Sequence, residues 1–145
     1  MLTQLLLGAV MITVTVIIHA FVIDHMMHNL MRIVERAKRT IFRYWRMMTL
    51  VVIILGIFLA NIVQIWVWAA LYFVLEPEAL QDFSTALYFS TSTFTTVGYG
   101  DIVLSSDWRL LGSVQSANGM ILFGWSTAFI FEVTARLYGK DGVTK

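Results

Sequence analysis

The chain has no cysteine, a single proline and only 13% charged residues, about half the charged share of an ordinary globular protein. Each shortage excludes something. Without cysteine there is no disulfide, no thiolate metal site and no thiol nucleophile. With so few charges, 145 residues cannot present the polar surface of a soluble domain. With only Pro77, long helices can run without interruption. Catalytic signatures are missing too: there is no phosphate-binding glycine loop and no nucleophile spaced with a base. The chain is therefore not expected to be an enzyme or to need a cofactor. Asp24, His25 and His28 cluster at the end of an apolar run. They read as interfacial polar residues, with pH sensing or metal binding as sharper alternatives.

What remains is apolar, 59% of the sequence. Three runs, residues 2–23, 50–75 and about 110–137, reach the roughly 20 residues needed to cross a bilayer. This predicts an integral membrane protein, all-α in class. The first run lacks a basic segment before it and reads as a retained span rather than a cleaved leader. Gly8 has no second glycine four residues on, so no close-packing helix motif is expected there.

Charge is sparse but sorted. Arg32, Arg36, Lys38, Arg39, Arg43 and Arg46 lie between the first two runs, and Arg136, Lys140 and Lys145 close the chain. Between the second and third runs only Arg109 is basic, against Glu76, Glu78, Asp82, Asp101 and Asp107. The positive-inside rule then places the first connection and the C-terminus in the cytoplasm and the N-terminus outside.

Within the connection at 24–49, Leu30, Val34, Ala37, Ile41, Trp45 and Met48 recur at helical spacing. Arg32, Arg36, Arg39, Arg43 and Arg46 keep the same rhythm on the opposite face. This predicts one basic amphipathic helix on the cytoplasmic surface, its arginines meeting anionic headgroups. Arginines at this spacing also occur in voltage-sensing helices, the competing reading.

After the second run, Glu76-Pro77-Glu78 ends the helix, and Asp82 is a good N-cap for a helix from Phe83 to about Phe94. Twelve residues cannot cross a membrane. The chain must dip in and return through TTVGYGD, residues 95–101, before the third run begins. Irregular backbone at membrane depth survives only where protein or a watery cavity surrounds it.

TVGYGD, preceded by a short helix and flanked by two spans, resembles the selectivity filter of potassium channels. The likeness covers about residues 50–137 and is to the small prokaryotic type, with one extra N-terminal span. It implies an outer helix at 50–75, a pore helix at 82–94, a filter at 95–101, an inner helix at 109–138 and a short cytoplasmic tail at 139–145. The N-terminal helix at 1–23 and the linker at 24–49 lie outside that minimal pattern. Stacked backbone carbonyls can replace the water of a dehydrated potassium ion. By the resemblance, Thr96, Val97, Gly98 and Tyr99 supply those carbonyls. Glycine reaches the positive φ such a loop requires, hence Gly98 and Gly100. Val97 and Tyr99 would turn into an aromatic cuff with Tyr88 and Phe89, and Thr95 would support the filter from below. Asp101 would ring the outer mouth with negative charge. One hairpin is a quarter of a ring, so a homotetramer is implied.

The same resemblance makes Gly119 a bending point of the inner helix and Gly124 a second candidate, close packing being the alternative. Met120, Phe123 and Thr127 would face the cavity, and Phe131 and Ala135 the inner constriction. Glu132 can pair with Arg136 at i, i+4 or attract cations. Two departures stand out. Ser92 occupies the mid-helix position where small bacterial channels often carry glutamate, and Phe89 has no donor for Asp101. The chain as given leaves no room after Leu137 for a cytoplasmic ligand-binding domain. A potassium-selective channel is the leading expectation. A non-selective cation channel, a transporter subunit and a non-conducting accessory subunit compete with it.

Overall fold

The computed structural model describes residues 1–139; most of the expected tail, including Lys140 and Lys145, lies outside the described residues. Among the described residues every regular element is a helix. They are α1 (Leu2–His28), α2 (Leu30–Thr40), α3 (Trp45–Leu75), α4 (Phe83–Phe94) and α5 (Arg109–Tyr138). Three of them, α1, α3 and α5, are long and apolar enough to cross a membrane.

Helix α1 continues five residues beyond Ile23 and stops where Asn29 turns its side chain back, its Nδ2 donating to His25 O at 2.8 Å. Helix α2 has only 11 residues, about 16 Å at 1.5 Å per residue. It is too short to cross the bilayer as a voltage sensor would. Leu30 and Val34 are buried against Ile53 and Ile57 of α3 and Phe129, Val133 and Leu137 of α5. Arg32, Arg36 and Arg39 stay exposed.

The single helix expected over 29–48 is broken. Ile41 leaves helical geometry (φ −139, ψ 78), Tyr44 N–H closes a turn on Ile41 O at 3.1 Å, and α3 starts at Trp45 rather than Leu50. The break lets the chain reverse from the surface helix into the next span. It also divides the arginines. Arg43 sits in the exposed turn. Arg46 belongs to α3, its guanidinium 5.2 Å from the ring centres of both Trp45 and Tyr138.

Helix α1 runs antiparallel to α3 and parallel to α5. A Cβ on Gly56 would lie 2.1 Å from Met26 Cε, so the end of the Met26 side chain rests on Gly56 and would have to shift for any larger residue there. Leu110 N–H donates to Gln4 Oε1 at 3.2 Å, and further along Asn118 Nδ2 donates to Thr15 Oγ1 at 2.8 Å. Gly8 has no paired motif, as expected, yet it still marks a close approach. A Cβ there would stand 2.9 Å from Val114 Cγ1. It is a close-approach glycine without the paired motif, because one deep side chain on the partner helix suffices.

Helix α4 leans on both α3 and α5 at one end of the bundle. Trp68, Tyr72, Ala86, Phe89, Phe94, Leu111 and Leu122 form the apolar packing around it.

Candidate functional site

Asp82 starts α4 as expected: its Oδ1 accepts from Thr85 N–H at 2.8 Å and its Oδ2 from the Thr85 hydroxyl at 2.9 Å. The Thr85 backbone bond, with the hydroxyl behind it, holds the Asp82 carboxyl below its usual range. On the buried side, Ser90 Oγ donates to Ile65 O of α3 at 2.8 Å and accepts from Gln115 Nε2 of α5 at 2.8 Å. Ser116 Oγ donates to Thr93 O at 3.0 Å. Sequence reasoning missed Ser90, Gln115 and Ser116. The available signal was polar side chains recurring in apolar helices, since in lipid each must find a partner.

These bonds fix the platform from which the loop leaves. Thr95 ends α4, its hydroxyl donating to Thr91 O at 2.8 Å. Beyond it, φ is positive at every second residue: Thr96 (62°), Gly98 (54°) and Gly100 (79°). The two glycines adopt this without penalty, whereas a β-branched threonine is strained by roughly 1–2 kcal/mol. Gly98 N–H is held by Ser92 O at 3.1 Å and Thr96 N–H by Thr93 O at 3.0 Å. The Ser92 hydroxyl turns back onto Phe89 O at 3.1 Å and serves its own helix.

Asp101 finds its donor one residue from where the sequence suggested looking. Phe89 is buried in the core, and Tyr88 Oη donates to Asp101 Oδ2 at 2.8 Å. The Tyr88 ring also stacks on Tyr99, nearly parallel, with centres 6.3 Å apart. On its other side the loop borders an open groove of about 500 Å³, lined by Phe89, Ser92, Thr96, Gly98, Gly112 and Met120 among others. Where α3 ends, Ser105 N–H and hydroxyl both bond Glu76 Oε1, tying the returning chain to the end of α3.

A family described as ion channel matches residues 60–136, more than half of the chain. The chain belongs to the ion channel family. Its matched segment runs from mid-α3 through the short helix and loop to the end of α5. The calcium-gated potassium channel TvoK of Thermoplasma volcanium is 29% identical over 93 residues, covering 58% of this chain and 27% of the relative. The chain thus spans little more than a quarter of that protein's length. No solved structure matches significantly. With three apolar spans, this member of the ion channel family is an integral membrane protein.

In the channel chain α5 is one continuous helix through both glycines. A Cβ on Gly119 would lie 2.1 Å from Phe94 O, so Gly119 is where α5 touches the end of α4. A Cβ on Gly124 would meet nothing within 4 Å. Met120, Thr127, Phe131 and Ala135 share the uncovered side of α5, while Phe123 is half-buried, edge-on to Phe94 at 5.4 Å. Glu132 pairs with Arg136 at 2.6 Å, the i, i+4 bond expected of it. At the end of α1, His25 Nε2 meets Asn29 Nδ2 at 3.3 Å, and no group of three potential metal ligands gathers among the described residues.

Proposed function

We propose that the chain forms a homotetrameric, potassium-selective channel, each copy contributing one quarter of a backbone-carbonyl filter. The observation that carries this reading is the alternation of positive φ at Thr96, Gly98 and Gly100 within TVGYGD. Such alternation lets successive carbonyls face one axis, where Thr96, Val97, Gly98 and Tyr99 would coordinate dehydrated K⁺. Val97 and Tyr99 are 53% and 70% exposed in one copy, as residues awaiting neighbours around a pore would be. Four symmetric copies close the ring. Asp101 concentrates cations at the mouth, and Met120, Thr127, Phe131 and Ala135 line the inner pathway beside Phe123.

The charge asymmetry supports an external N-terminus and a cytoplasmic C-terminus, and the likeness to small prokaryotic channels supports a prokaryotic plasma membrane. The exposed Arg32, Arg36, Arg39 and Arg43, with Arg46 at the base of α3, then lie at the level of anionic headgroups.

The test is flux of K⁺ against Na⁺ from purified protein in liposomes, with Gly98→Ala alongside. K⁺ flux well above Na⁺, lost in Gly98→Ala because alanine resists the 54° φ, is the expected outcome. Equal rates indicate a non-selective cation pore, and no flux an accessory subunit.

A further inference from the structure

Between the two apolar packings of the bundle lies a belt of polar side chains from three helices. Thr15 and His19 of α1, Gln64 of α3, and Asn118 and Ser126 of α5 are all buried. His19 is the junction. Its Nδ1 lies 3.0 Å from Gln64 Nε2 and its Nε2 lies 3.2 Å from Ser126 Oγ. Ser126 spends its hydroxyl hydrogen on Leu122 O at 2.8 Å. Its lone pair therefore accepts from His19 Nε2–H, and Gln64 donates to the bare Nδ1. The donor inventory assigns a neutral ring with its proton on Nε2, each nitrogen serving a different helix. One turn away, Asn118 Nδ2 holds Thr15 Oγ1 at 2.8 Å.

The two ties from α1 to α5 straddle Gly124. Thr15 holds Asn118 before it, and His19 holds Ser126 after it. A Cβ added to Gly124 would meet nothing within 4 Å. The downstream half of α5 cannot swing at Gly124 while both bonds stand, since the same rigid helix grips both halves. Resting on the channel reading above, we infer that His19 is a positioning residue that latches the inner helix straight. The extra N-terminal span is thereby a built-in brake on pore opening.

Single-channel recording of the full chain tests this. His19→Ala and Ser126→Ala should each shift the closed–open equilibrium towards open by about fivefold per copy, the worth of one buried hydrogen bond of about 1 kcal/mol, and by several hundredfold where four copies open together. The double variant should go no further than either single one. His19→Gln, whose amide reaches the Nε2 position, should restore wild-type opening. His19→Asn, which reaches only the Nδ1 position, should not. The K⁺/Na⁺ ratio should stay constant throughout, because Ser90, Gln115 and Ser116 hold the loop independently. Unchanged opening in His19→Ala, additive effects in the double variant, or no rescue by His19→Gln overturns the latch.

A second measurement needs no current. The chain has no cysteine, so nitroxides on Ile17→Cys and Ala128→Cys, both exposed, can be measured in chains diluted among unlabelled ones. The distance distribution should be narrow in the parent and broadened by His19→Ala. A parent protein that passes no ions defeats the channel reading, whereas an unbroadened distribution defeats the latch.

Discussion

Both ends of the bundle pack apolar side chains, but only one adds hydrogen bonds between its helices. Around α4, every neighbouring helix is joined by hydrogen bonds: Ser90 to Ile65, Gln115 to Ser90, Ser116 to Thr93. At the other end Met26, Leu30, Val34, Ile53, Ile57, Phe129, Val133 and Leu137 meet through apolar contact. In lipid, apolar helix contacts have no hydrophobic driving force beyond packing, and they tolerate sliding. Hydrogen bonds are directional and do not. The bonded end carries the strained loop, which must keep its backbone geometry. The apolar end carries Phe131 and Ala135, whose proposed role requires movement.

The sharpest way to break this comparison is at Gly119. Gly119→Ala drives a Cβ into Phe94 O, which cannot retreat as a flexible side chain could. A cost of about 3 kcal/mol or more is expected, with loss of assembled protein on gel filtration. Gly124→Ala, with open space around it, should assemble normally. If both behave alike, the bonded end is not the rigid one.

A smaller effect is expected at Gln115. Gln115→Leu removes both bonds to Ser90, at 2.8 and 3.2 Å. Stability should fall by roughly 1–3 kcal/mol, and the K⁺/Na⁺ flux ratio should drop. Val133→Ala at the apolar end should alter opening while leaving that ratio intact. A Val133→Ala channel with degraded selectivity would merge the two regions into one.

Tyr88→Phe removes the hydroxyl that holds Asp101 but keeps the ring beside Tyr99. Conduction during prolonged recording should decay faster, with selectivity retained. The smallest effect is at the Asp82 cap. Its pKa is lowered in the folded state, so its contribution is present above the ordinary carboxylate value and fades as pH falls through the lowered one. Asp82→Ala should lower thermal stability slightly at neutral pH and flatten its acid limb over that window.

Legibility followed the range of the interactions. The cap at Asp82, the extent of α4 and the Glu132–Arg136 pair lie within four residues along the chain, and each could be read from spacing. TTVGYGD was legible because positive φ restricts residue choice so strongly. Thr96 was the exception, adopting φ 62° as a threonine. The turn at 41–44 was hidden because the helical rhythm of apolar and basic residues continues straight through it. Burying Leu30 and Val34 in one cluster with Ile53 and Ile57 of α3 requires the chain to reverse there. Tyr88 was expected in the cuff, but its bond to Asp101 depends on how the loop returns.

The amino-acid sequence alone determined that this chain lies in a membrane, that three helices cross it, and that a short helix and a glycine-bearing loop dip between the last two. Hydropathy, capping and backbone strain are local and act wherever those residues stand. Tertiary structure decided which polar groups meet: Gln4 with Leu110, Thr15 with Asn118, His19 with both Gln64 and Ser126. Those partners lie 45 to 107 residues apart. A buried polar side chain announces that it needs a partner, and only the packing of helices can say which one it gets.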